Sequence, residues 1–189
     1  MTVSFRVVNE AGNGSTARGG ANEAAARPDC VFCGVTRDSP GFRVVHEDDE
    51  LVVFHDRSPA SRVHLLLVPK RHIDNVKTLL PEDAALLQRM RKTGQEVLER
   101  VGVPLSEQRL GFHIPPFYSV NHLHLHLLSL PLPFRGSLKY RPALPSEAER
   151  SSGKLKGWSW FVEVDQVLDI LRAGQKVKVA SVRAPTAAA

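Results

Sequence analysis

The chain has 189 residues, of which 42% are hydrophobic and 24% charged, with a formal net charge of +5. Those values fit one globular domain with tails and exclude a fibre or a wholly disordered chain, and no apolar run nears the ~20 residues of a membrane-spanning helix. The mild positive charge suits an anionic ligand such as a nucleotide, but it is too diffuse to mark a nucleic-acid surface.

Residues 1–27, rich in Gly, Ala, Asn and Arg, lack hydrophobic periodicity and read as a disordered tail. They hold no apolar segment of a secretory signal; Arg6, Arg18 and Arg27 suggest a transit peptide, which Glu10 and Glu23 oppose. Two cysteines, Cys30 and Cys33, cannot build a disulfide framework and fit a reducing compartment. The expected location is therefore the cytoplasm, with entry into the nucleus left open.

Phe42–His46 and Leu51–His55 are short β-rich runs around an acidic turn, the pattern of a hairpin. Val63–Pro69 is a nearly continuous apolar strand ended by proline. Pro81 opens a helix through about Val101, with Leu87, Met90, Gly94, Val97 and Val101 as its apolar stripe. Arg109–Ile114 and Asn121–Leu130 predict two more strands, and Asp165–Arg172 a short helix with Gly174 just beyond it. Several strands in meander order with one long helix between them give the α+β class. From Gly174 the chain reads as a flexible basic tail.

The stretch His122-Leu123-His124-Leu125-His126 carries the chemistry. On a strand its histidines share one face, roughly 6.5–7 Å apart, and its leucines the other. Such a face suits either a zinc site or nucleophilic catalysis by a histidine that its neighbours orient, and spacing alone does not choose between them. A surface strand with accidental histidines is the plain alternative.

His-φ-His-φ-His-φ-φ, with φ apolar, resembles the signature of the histidine triad (HIT) family of nucleotide hydrolases and transferases. The resemblance extends to Cys30-Val31-Phe32-Cys33, Phe54-His55-Asp56, Val63 to Ile73, Leu110 to His113 and Trp160-Phe161, and so covers residues 28–173. Within the family the chain resembles the nucleotide-binding Hint proteins, on the eukaryotic Hint-3-type branch, through Gly111 to Phe117. The resemblance implies a five-stranded antiparallel sheet with one long and one short helix, a homodimer, and a small purine nucleotide as substrate.

It also implies roles. His124 is the nucleophile toward the α-phosphorus of an adenosine 5′-phosphoramidate or acyl-AMP, and His126 a donor to the phosphoryl oxygens. His122 and His64 support the cluster, and Ser119 lies near the leaving group. Asp56 takes the ribose hydroxyls, with Phe54 and Arg57 beside the base and sugar. Cys30, Cys33, His72 and His122 match the ligands of a structural zinc. Each has a plainer reading: Asp56 as a turn cap before Ser58-Pro59, Ser119 as a loop hydrogen-bonder, His64 as a core histidine. His113 is not counted among the site residues.

The pattern is departed from at Gly111, where many Hint proteins carry Asn, and at Phe117 and Tyr118, where Gly-Gln is usual before the serine. Pro142–Lys156 reads as a mobile inserted loop. Two further functions stay open: aprataxin-like removal of 5′-AMP from DNA, which lacks its zinc finger here, and an AMP-binding scaffold with little catalysis.

Overall fold

The computed structural model describes residues 27–185. The expected tail over 1–27 thus lies, apart from Arg27, outside the described residues. β1 (Val44–Glu47) and β2 (Leu51–His55) form the expected hairpin, and Asp48 Oδ1 accepts from the Glu50 and Leu51 amides to close its turn. β3 (His64–Pro69) follows, then a single 3₁₀ turn over Pro81–Asp83 and helix α1 (Ala84–Arg100). β4 (Gln108–His113) and β5 (Leu125–Ser129) complete the central strands. After the short helices α2 (Phe134–Lys139) and α3 (Glu147–Ser151) come β6 (Lys154–Lys156), β7 (Phe161–Glu163), helix α4 (Val164–Arg172) and β8 (Val182–Arg183).

The main sheet is antiparallel with order β1-β2-β3-β5-β4-β7, six strands rather than the expected five. The sixth is β7, whose three residues are too few to show an alternation in sequence. It pairs Gly111 with Glu163 and His113 with Phe161, so the edge of β4 is covered.

Strand alternation divides the sheet into two faces. Leu51 and Val53, Leu65 and Leu67, Leu110 and Phe112, Leu125 and Leu127 join one core with Leu87, Met90 and Val97 of α1 and Val167 and Leu171 of α4. Val101, expected in the helix stripe, ends the helix and is 40% exposed. Gly94 lets α1 approach closely, because a Cβ there would lie 2.7 Å from Leu127 Cδ2 and 3.0 Å from Leu110 Cδ2. The opposite face carries two small apolar patches. One holds Phe32, Val52, Phe54 and Leu66; the other holds Leu128, Tyr140 and Phe161.

Two expectations about loops fail. The segment 142–156 contains α3, capped by Ser146 and Glu149 in a reciprocal capping box, and β6. The expected tail from Gly174 packs back over residues 175–185: β8 pairs with β6, and Val177 and Val182 are buried. Lys156, fully buried, donates to the carbonyls of Gly157, Ser159 and Val179 and so pins this returning chain. The composition of both segments is polar, and their few apolar anchors are spaced too widely to reveal packing.

Candidate active site

His64, His113 and His126 sit on adjacent strands, and register brings them together. In β3–β5 pairing Leu66 faces His126, and in β4–β5 pairing Gly111 does. Their rings meet: His126 lies 5.2 Å from His64 and 4.8 Å from His113 between centroids. His64 Nε2 to His126 Nδ1 and His126 Nε2 to His113 Nδ1 are both 3.0 Å.

Backbone groups at the two ends fix the tautomers. The Ala60 amide donates to His64 Nδ1 at 3.1 Å, so in the neutral ring the proton of His64 sits on Nε2. His64 therefore donates to His126 Nδ1, with Asp56 Oδ2 also 3.4 Å from the same nitrogen. His126 then donates from Nε2 to His113 Nδ1, and His113 donates from Nε2 to the Lys139 carbonyl at 3.2 Å. Every ring nitrogen of the three is used. Burial holds His64 and His113 down to about 4 and His126 well below its ordinary value, so this row of three histidines is uncharged at neutral pH. Asp56, His64 and His126 are close enough for a metal, but a lone pair on His64 Nε2 would leave the Ala60 amide without its acceptor.

His124 differs. Its Nδ1–H donates to the His122 carbonyl at 2.7 Å, which leaves the Nε2 lone pair without a partner among the described residues. The ring stands 5.1 Å from His126 and 5.7 Å from Phe32, half-buried beside a cleft lined by Tyr118, Val120, Phe112 and His113. An oriented imidazole with a free nitrogen is a nucleophile.

The three triad residues do not share one strand face as the alternation implies, because β5 begins only at Leu125. The Leu123 amide bonds the Ile73 carbonyl, and His122 turns away toward the cysteines. There His122 Nδ1 is 3.3 Å from Cys30 Sγ, and His72 Nδ1 is 3.2 Å from Cys33 Sγ. The four ligand atoms lie within 4.8 Å of one another. His122 Nε2 donates to the Pro69 carbonyl at 2.8 Å and His72 Nε2 to Asp74 Oδ1 at 3.0 Å. Those outer bonds put the lone pairs on Nδ1, facing the thiols, which is the tautomer a metal ligand requires. Two sulfurs and two imidazoles are a donor set that fits zinc.

Other expected residues are placed differently. Asp56 Oδ1 accepts from the Ser58 amide at 2.7 Å, the turn-capping bond, while Oδ2 turns to His64. Phe54 is only 2% exposed, 5.3 Å from Phe32 and 5.0 Å from Phe42, so it offers no open ring face to a base; its strand position points it into the apolar patch. Arg57 and Ser119 are exposed and hydrogen-bond no described residue through their side chains. His126 has no free N–H, so the expected donation to phosphoryl oxygens is not available from it.

His113 and Tyr140 are the residues that the sequence reading missed. The signal for His113 was present, since Gly111 and His113 alternate with the core residues Leu110 and Phe112. Tyr140, at the end of α2, packs 4.9–5.4 Å from His64, His113 and His126, and no periodicity marks it.

Comparison with known proteins identifies the family of the chain. Residues 29–140 match the family model described as "Scavenger mRNA decapping enzyme C-term binding". The chain is 37% identical over 145 residues to the bifunctional adenosine 5′-phosphosulfate phosphorylase/adenylylsulfatase HINT4 of Arabidopsis thaliana, covering 76% of this chain and 91% of that protein. It is 36% identical over 148 residues to the adenosine 5′-monophosphoramidase HINT3 of Xenopus tropicalis, covering 76% and 88%. A HIT family hydrolase from Clostridium thermocellum superposes with a TM-score of 0.51 at 32% identity, over 56% of this chain and 93% of that one. The chain belongs to the histidine triad family, in its Hint group.

Proposed function

We propose that the protein is an adenosine 5′-monophosphoramidase that works through a nucleotidyl-histidine intermediate. The carrying observation is His124, whose Nδ1–H is tied to the His122 carbonyl and whose Nε2 has no partner among the described residues. In this reading the Nε2 lone pair attacks the α-phosphorus, and the N–P bond to His124 forms as the P–N bond to the leaving group breaks, its nitrogen taking the bonding pair and a solvent proton to leave as the amine; water then attacks phosphorus, the bond to His124 breaks, and AMP is released with the imidazole restored. The uncharged chain His64–His126–His113 holds the strands and rings around His124 without competing for the phosphate as cations. The similarity to HINT3, named for this activity, supports the substrate class.

Cys30, Cys33, His72 and His122 are proposed as ligands of a structural zinc. Zinc there would tie the start of the domain to the segment that carries the nucleophile. Because the His122 carbonyl orients His124, ligation of His122 would fix the nucleophile through the backbone.

The test is AMP release from adenosine 5′-phosphoramidate by the wild type and by His124→Ala. Turnover by the wild type and a loss of at least ~100-fold in the variant are expected. A wild type that binds AMP without turning over the phosphoramidate defeats this reading, and adenylated DNA is then the substrate to try.

A further inference from the structure

With both ring nitrogens of His126 bonded to other imidazoles, the triad leaves no N–H for the phosphoryl oxygens. Next to that ring lies another donor. The Tyr140 ring is 5.1 Å from His126, 5.4 Å from His64 and 4.9 Å from His113, with Phe161 5.5 Å away completing the packing. Tyr140 is 1% exposed, yet its hydroxyl makes no hydrogen bond to any described residue. A tyrosine hydroxyl that has no protein partner beside a cluster of imidazoles is left to meet water or a ligand.

The hydroxyl is also reachable. Among the described residues the fully enclosed side-chain polar atoms that make no hydrogen bond are Arg91 Nε, Gln108 Oε1 and Arg109 Nε, and the Tyr140 oxygen, which makes none either, is not one of the enclosed atoms. Burial and then the Asp56 carboxylate hold the phenol well above its ordinary value, so its proton is retained at any working pH.

We propose that the Tyr140 hydroxyl is a catalytic hydrogen-bond donor to a non-bridging phosphoryl oxygen of the 5′-nucleotide whose phosphorus His124 attacks. This rests on the nucleotidyl-transfer reading above. As the bond from His124 Nε2 to phosphorus forms and the P–N bond breaks, the leaving nitrogen takes the bonding pair and a proton from solvent water and departs as the neutral amine, while the charge on the equatorial oxygens calls for a donor. Tyr140 keeps its proton throughout and stabilises that charge by donation alone. A neutral donor suits a site whose histidines are themselves uncharged.

The experiment compares wild type with Tyr140→Phe, which keeps the ring against the three histidines and removes only the oxygen. Calorimetric titration with AMP and with adenosine separates phosphate contact from folding, because both ligands need the intact pocket and only AMP carries the phosphate. AMP affinity is expected to fall about 10-fold in the variant, with adenosine affinity unchanged, since hydrogen bonds to charged groups are of that strength. In turnover, kcat is expected to fall at least ~10-fold, and replacing a non-bridging oxygen by sulfur is expected to slow the variant less than the wild type. Equal affinities of wild type and variant for AMP overturn the proposal, as does a parallel loss for adenosine. If the wild type binds AMP but turns over no phosphoramidate, the phosphoramidase reading falls while an AMP-specific loss in the variant still supports the tyrosine contact. A wild type that binds neither ligand overturns both.

Discussion

A backbone amide at Ala60 and a backbone carbonyl at Lys139 decide where each proton in the row His64, His126 and His113 resides. Two consequences are measurable at the scale of the residue. His64 and His113 titrate near 6.5 in an unfolded chain and at about 4 in the fold, so the unfolded state takes up protons that the folded one refuses. Their contribution is complete above about pH 6.5 and is lost as pH falls toward 4; for either histidine alone it is of order 3 kcal/mol. Denaturant titrations at intervals between pH 7.5 and 4.5 should therefore show stability falling steadily on the acid side. His113→Phe strands the His126 N–H in the interior, and is expected to cost about 1–3 kcal/mol by the same measurement. The histidines at 122, 124 and 126 were legible as a pattern because apolar residues alternate with them. The resemblance gave each a role, but their hydrogen-bond partners were not legible, since the fold supplies those from groups distant in sequence: Cys30 beside His122, and the Ala60 amide and Lys139 carbonyl at the ends of the row through His126.

Among the elements, β4 and β5 matter most, because their pairing sets the position of His126. Gly111 stands opposite His126 with the Phe161 ring against it: a Cβ there would lie 2.5 Å from Phe161 Cζ and 2.6 Å from the Val162 carbonyl. The family's frequent Asn therefore has no room in this chain, and β7 occupies the space. Gly111→Ala is expected to destabilise the fold by about 1–3 kcal/mol through overpacking, and to lower activity by displacing β4 from β5; thermal melts and AMP release check both. The central strands, α1 and α4 were readable from apolar periodicity. The late start of β5 was not, because Leu123 keeps its core position while its backbone already bonds Ile73. Short β6, β7 and β8 carry too few residues to announce themselves.

For the molecule as a whole, residues 175–185 belong to the domain. They bury Val177 and Val182, and the Val179 carbonyl is one of three that hold the Lys156 ammonium, which burial lowers to about 8. Removing residues 175–189 is expected to lower Tm by several degrees and to expose apolar surface, read by calorimetry and dye binding. The same view applies to the four-residue donor cluster that joins the start of the domain to the catalytic segment. Purified protein is expected to hold about one zinc per chain, and chelation to lower Tm; elemental analysis and melts with and without chelator decide it.

In the proposed reaction His124 displaces the leaving group from phosphorus and is itself displaced by water. Each in-line displacement inverts phosphorus, so two in succession restore its configuration. The most direct measurement is the stereochemical course of hydrolysis of an adenosine 5′-phosphoramidate made chiral at phosphorus, with isotopically labelled water. Net retention is the predicted result. Net inversion would mean that water attacks the substrate directly, and would contradict the covalent role of His124.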